Sequence, residues 1–275
     1  MHDHVTFQEF IAASPYTDPV DRKKLLFVYR AVEDYAAERR VNAAELKILE
    51  VACGVGGITL PLARLGARVR ALDIDANDVA ALRSRAQEQR FANLHATVED
   101  AFSFREDERY DVVVASEVIE HVLDPDALLA NMVRHMAPGG LLIVTTPNGY
   151  GPWELSNYVR PRHVARRWNW LRRATGKPPY VAGTGPDHCQ HYTRGRLMTM
   201  FRRHGLDVHR FMNSDFVLTI SKSLRRHRVL GGFDADFANI VPHWMASGWY
   251  VALRMRHEPH GSSAPAPRAG SQYGD

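Results

Sequence analysis

Lys47-Ile48-Leu49-Glu50-Val51-Ala52-Cys53-Gly54-Val55-Gly56-Gly57, followed by Arg68-Val69-Arg70-Ala71-Leu72-Asp73-Ile74-Asp75, decides the reading of this chain. The first stretch has the apolar run of a short buried strand, ends in glycines and leads into a helix. Without a Cβ in the way, such a turn lets backbone N–H groups approach a small ligand. The second stretch reads as another buried strand. It delivers Asp73 nineteen positions after Gly54, close to the roughly twenty-residue spacing at which a carboxylate meets ribose hydroxyls. Glycine loop and acid, in that order, predict a nucleoside cofactor at the carboxyl ends of a parallel sheet.

The loop departs from the dinucleotide pattern Gly-x-Gly-x-x-Gly, because Thr59 stands at its third glycine. The pattern Glu50-x-x-x-Gly54-x-Gly56 instead resembles the class I S-adenosylmethionine-dependent methyltransferases. The resemblance implies that Glu50, Gly54 and Gly56 surround the methionine part of the cofactor and that Asp73 binds the ribose. Val98-Glu99-Asp100-Ala101 looks like the third-strand signature of that family. There Asp100 would meet the adenine amino group beside Ala101, and Ile74 would pack on the adenine face. Tyr110-Asp111-Val112-Val113-Val114-Ala115-Ser116 looks like the fourth strand, with Ser116 at the cofactor. Ala137 to Asn148, with Pro138-Gly139-Gly140 at its head, looks like the turn and fifth strand. The resemblance is detailed over residues 45 to 150 and returns more loosely near the C-terminal end.

The fold class this implies is α/β: a doubly wound, mostly parallel seven-stranded sheet whose last strand is antiparallel. A helical N-terminal segment over residues 1–45 and a cap insertion complete it. Within the methyltransferase domain, 46–256, residues 147–192 form the cap and 214–245 a second insertion. The Pro-, Ser-, Gly- and Ala-rich tail 257–275 reads as disordered.

Local signals agree with this order. Leu25, Leu26, Val28, Tyr29, Val32, Tyr35 and Ala36 recur at helical spacing between Pro19 and Arg40. Strand–helix units follow at 47–65 and 68–90, with Asp75 or Asn77 to cap the second helix, and a third at 94–102 with a loop through Phe104. After strand 110–116 a helix begins near Asp124-Pro125 and ends at Pro138-Gly139, before a strand at 141–146. Thr193 caps a helix to His204, and strands at 207–211 and 246–255 close the sheet. The insertion carries Trp153, Tyr158, Trp168, Trp170 and Tyr180, aromatics suited to a pocket wall or to fixing a cap.

Composition narrows the partners. The chain has 275 residues, 45% apolar and 24% charged, and a net charge of +4. No apolar run approaches the roughly 18 residues of a membrane helix, and Met1-His2-Asp3-His4 begins no secretory signal, so a cytoplasmic protein is expected. Cys53 and Cys189 show no metal-type pairing, and Cys53 reads as a packing residue. Between Gly149 and Gly205 eleven Arg and Lys face only Glu154 and Asp187. That imbalance suits either a solvated face or an anionic partner.

The chemistry is expected after the fourth strand, in Ser116-Glu117-Val118-Ile119-Glu120-His121. A sulfonium methyl is already electrophilic, so the protein must align the acceptor and remove its proton. Glu117-x-x-Glu120-His121 resembles two metal-assisted branches, the ubiquinone-pathway O-methyltransferases and the small-RNA 2′-O-methyltransferases. In them both glutamates and the histidine bind a divalent cation, and His188 is the candidate fourth ligand here. Without a metal, His121 or His188 serves as general base near neutrality, with Glu117 beside it. The expected acceptor is an oxygen on a small molecule of anionic, sugar-like or aromatic character. RNA, a nitrogen acceptor and non-catalytic cofactor binding are the alternatives; no RNA-binding module accompanies the domain.

Overall fold

The computed structural model describes residues 4–159, 188–216 and 227–256. Its helices are α1 (Phe7–Ala12), α2 (Pro19–Arg39), α3 (Thr59–Arg64), α4 (Ala76–Glu88), α5 (Pro125–His135), α6 (Pro152–Val159), α7 (Arg194–Arg203) and α8 (Arg228–Phe237). Its strands are β1 (Lys47–Val51), β2 (Arg68–Asp73), β3 (Leu94–Val98), β4 (Tyr110–Ser116), β5 (Met136–Pro147), β6 (Leu206–Asn213) and β7 (Gly248–Met255). They form one sheet in the order β3-β2-β1-β4-β5-β7-β6. Pairing is parallel from β3 to β5, and β7 runs antiparallel between β5 and β6.

The period of two in the central strands explains the layering. Leu49, Val113, Ala115, Leu142 and Val144 face one side, where α5 contributes Leu128, Leu129 and Met132 and α7 contributes Leu197 and Phe201. Ile48, Val112, Val114, Leu141 and Ile143 face the other, against Leu25, Val28, Val32 and Tyr35 of α2. Both faces are buried, so these strands read as continuous apolar runs. Strand order reverses between β1 and β4, which puts the ligand crevice at the carboxyl ends of those two strands.

Helix α2 is set firmly. Asp18 accepts from the amides of Val20 and Asp21, and Pro19 occupies the first turn. The Tyr250 hydroxyl donates to Val20 O at 3.4 Å, and buried Lys23 donates to Ala235 O of α8.

Three expectations need correction. The fourth-strand crossover helix ends at His135, and β5 begins at Met136 instead of residue 141. Met136 already pairs with Tyr110, and the irregularity that Pro138-Gly139 signals falls inside the strand as a register shift, with Gly139 at φ +69°. The third unit has no helix: β3 reaches β4 through a turn in which Asp100 Oδ1 accepts from the Phe102 amide. The short helix α1, closed at its N-terminus by a Thr6–Glu9 capping box, was not anticipated. The stretch 214–245 contains α8 and a short 3₁₀ turn at His243–Met245. Trp168, Trp170, Tyr180, Asp187, the arginines between 160 and 173, Lys177 and the tail lie outside the described residues.

Candidate active site

The glycine loop leaves β1 through Ala52, whose φ of +54° is unusual for a residue with a Cβ. At Gly56, φ +92°, an added Cβ would stand 2.4 Å from Leu82 Cδ1, so helix α4 packs directly on the loop. The loop is braced from β2, because Gly54 N–H donates to Asp73 Oδ2 at 2.7 Å and Asp75 N–H donates to Asp73 Oδ1 at 2.9 Å. Each carboxylate oxygen retains lone-pair capacity for an incoming hydroxyl. Glu50 is buried beneath the loop and accepts from Thr59 Oγ1. Burial pushes its carboxyl up to about 8, against the opposing effects of the Thr59 hydrogen bond and the Lys24 charge. Cys53 is buried beside it and burial raises its thiol, which suits a packing role.

The residues expected on the adenine side come from separate elements. Ile74 follows β2 and is 75% exposed, an apolar side chain left at the mouth of the crevice. Asp100 and Ala101 lie on the turn after β3. That turn is held from below by Asn131 of α5, whose Nδ2 donates to Ala101 O at 2.7 Å and to Phe104 O at 3.2 Å. Asn131 Oδ1 accepts from Arg105 Nη1 at 2.8 Å.

Next to the glycine loop β4 ends at Ser116, whose hydroxyl pairs with Thr145 Oγ1 at 2.8 Å. Glu117 adopts φ +55°, a second strained position at the switch point. Its carboxylate accepts from Thr145 Oγ1 at 2.7 Å and lies 4.0 Å from Lys24 Nζ. Glu120 is 1% exposed; Oε2 accepts from Thr146 Oγ1 at 3.1 Å, while Oε1 is buried without a hydrogen-bond partner among the described residues. Burial first, and the neighbouring Glu117 second, hold its carboxyl well above the usual range.

The structure brings Glu120, His121 and His188 together, with one ligand atom of each within 4.8 Å of the others. His121 Nε2 is 3.9 Å from Glu120 Oε1, and the His121 and His188 rings meet edge-on at 4.7 Å. Glu117 stands outside this cluster, turned toward Thr145 and Lys24. His188 Nδ1 is closely paired with Glu154 of α6, and both side chains are buried. An ionised carboxylate only accepts, so Nδ1 carries the hydrogen and Nε2 keeps a lone pair for a proton or a metal ion.

These groups open on a cleft of about 330 Å³, within the range of small-molecule sites. Asp21, Lys24, Glu117, Glu120, His121, Trp153, His188, Asp215 and Tyr250 line it, among others. Among the described residues its lining carries four acidic side chains, of which burial holds Glu120 toward the protonated form, and one lysine. Sequence reasoning missed Lys24, Asp21, Asp215 and Glu154. Glu154 carried a signal, as one of two acids in a basic, aromatic insertion.

With this geometry in place, the chain belongs to the methyltransferase-domain family, whose pattern matches residues 22–210. It is a member of the class I S-adenosylmethionine-dependent methyltransferase superfamily. Among relatives, it is 36% identical over 135 residues to a ubiquinone biosynthesis O-methyltransferase of Rhodopseudomonas palustris strain BisA53, covering 49% of this chain and 51% of that protein. The chain thus spans about half the length of such relatives. The fold is shared with the SAH-bound magnesium protoporphyrin IX methyltransferase from Synechocystis PCC 6803, at 16% identity and TM-score 0.55 over 90% of this chain and 93% of that one. The N-methyltransferase NodS from Bradyrhizobium japonicum WM9 superposes with TM-score 0.54 at 15% identity, over 92% and 100% of the two chains. These two likenesses describe architecture only. No helix among the described residues is long and apolar enough to cross a membrane.

Proposed function

We propose that this protein transfers the methyl group of S-adenosylmethionine to a hydroxyl oxygen of a small molecule. The observation that carries the reading is the Glu120–His121–His188 cluster at the end of β4, one strand from the braced glycine loop and open to a small-molecule cleft. Glu50, Gly54, Gly56, Asp73, Ile74, Asp100, Ala101 and Ser116 hold the cofactor in this reading. The sulfonium supplies the electrophile. The chain orients the acceptor in line with it and takes its proton, for which His188 Nε2, set by Glu154, and His121 are placed.

The donor set also suits a divalent cation. A buried carboxylate oxygen without a hydrogen bond beside two imidazoles is a mixed O/N site of the kind Mn²⁺ or Zn²⁺ accepts. Glu120, His121 and His188 would hold the ion, with Glu117 alongside, and it would supply Lewis acidity toward the acceptor hydroxyl. The relatives' ubiquinone-pathway names agree with a hydroxy-aromatic acceptor. The acidic lining favours one whose other substituents are uncharged.

The test is methyl transfer from labelled S-adenosylmethionine to matched panels of hydroxy-arenes and aryl amines, before and after EDTA treatment and with Mn²⁺ restored. Labelled ethers are expected, with transfer lost in His188→Ala. Transfer to amines alone would overturn the oxygen assignment, and EDTA-insensitive transfer would remove the metal.

A further inference from the structure

Helix α2 carries two consecutive lysines with opposite surroundings. Lys23 is buried against α8, whereas Lys24, 12% exposed, reaches the cleft. Lys24 Nζ stands 3.8 Å from Asp21 Oδ1 and 4.0 Å from Glu117 Oε1. Its charge is also felt by Glu50 under the glycine loop, by Glu120 after β4 and by Tyr16, which packs on Gly57. One ammonium therefore faces both the cofactor loop and the acceptor groups. Among the described residues lining the cleft it is the only lysine or arginine.

A hydroxyl placed near Asp21, Glu117 and Asp215 is hard to ionise, because each nearby negative charge raises its pKa; a cation within about 4–6 Å acts in the opposite direction. We propose that Lys24 is a catalytic and specificity-determining residue: its ammonium faces the acceptor oxygen and stabilises it as an oxyanion. The inference rests on the oxygen-acceptor reading above. With the histidine cluster free of a cation, the acceptor O–H proton passes to His188 Nε2. The oxygen forms the O–CH₃ bond as the C–S bond breaks, and the bonding pair stays on sulfur, turning sulfonium into thioether. The imidazolium then returns its proton to solvent, and Lys24 keeps its own protons throughout. An amine acceptor becomes more positive on methylation and gains nothing beside an ammonium, so Lys24 selects oxygen over nitrogen.

A lysine that only pairs with Asp21 within α2 and ties the helix to Glu117 would affect stability and leave a bound phenol's ionisation unchanged. The full-length protein, saturated with S-adenosylhomocysteine, is titrated with 4-nitrocatechol, whose absorbance reports its ionisation. In the wild type the bound dye should ionise at lower pH than free dye. Lys24→Met should raise its apparent pKa by about one unit or more, and Lys24→Arg should largely restore it. An unchanged far-ultraviolet circular dichroism spectrum verifies the fold, and Lys24→Gln replaces the Met variant if that one does not fold. Equal dye ionisation in wild type and variant would overturn the proposal for Lys24 alone. A wild-type complex that binds no dye would defeat the oxygen-acceptor reading, and this inference with it.

Discussion

Asp73 accepts the amide hydrogen of Gly54 at 2.7 Å, so the carboxylate that ends β2 is fastened to the loop that ends β1. One acid thus shapes the cradle and, in the proposed function, holds the ribose. Asp73→Ala should lower S-adenosylmethionine affinity by about 2–3 kcal/mol, the scale of lost charge-assisted hydrogen bonds. Calorimetric titration reads this directly, and unchanged affinity would sink the assignment of the cofactor site.

In the proposed function Glu50 would tie cofactor binding to pH. Its carboxyl is raised to about 8 by burial, so it is protonated in the free protein near neutrality. An approaching ammonium favours the carboxylate, so binding should release a proton and affinity should climb as pH rises toward 8. Titration in buffers of different ionisation enthalpy measures the proton count, which Glu50→Gln should reduce. The same shift works against the fold in alkali. The native state binds more protons than the unfolded chain between the ordinary carboxylate range and 8, so this contribution to stability declines as pH rises through that window. Denaturation of Glu50→Gln should lack that decline.

Gly56 has little freedom to change. Alanine there must adopt φ +92° and displace Leu82, at a cost of about 1–3 kcal/mol. Thermal unfolding of Gly56→Ala should show the loss. Adding Leu82→Ala should relieve the contact but leave the backbone cost, so the two substitutions should not be additive.

Asn131 lies in α5, beneath the turn that carries Asp100 and Ala101. Asn131→Ala leaves two carbonyls and Arg105 without that partner, a loss of about 1–3 kcal/mol in stability. A several-fold fall in affinity for S-adenosylmethionine should accompany it, with a smaller change for methylthioadenosine-free fragments such as methionine. Equal loss for both would make Asn131 a purely structural residue.

The glycine loop, the strand after it and the helix that packs on it were legible in the sequence because their parts are local. A glycine loop, an acid nineteen residues on and an N-capped helix each depend on neighbours along the chain. The start of β5 was misread because Pro138-Gly139 has the chemistry of a helix stop, whereas pairing of Met136 with Tyr110 places it inside a strand. Lys24 could not be singled out: in sequence it is one more lysine on a helix, and its surroundings come from residues just after β4, some ninety positions away. The pairing of Glu154 with His188 likewise joins residues 34 positions apart.

Ala52 and Glu117 end adjacent parallel strands with nearly the same left-handed backbone, φ +54° and +55°. A chain selected for heat resistance alone would carry glycine at both, gaining about 1 kcal/mol at each. Ala52→Gly should raise the melting temperature without touching a charged group, whereas Glu117→Gly would exchange an acid beside Lys24 for backbone ease. The two positions therefore separate thermal margin given up for loop shape from thermal margin given up for chemistry.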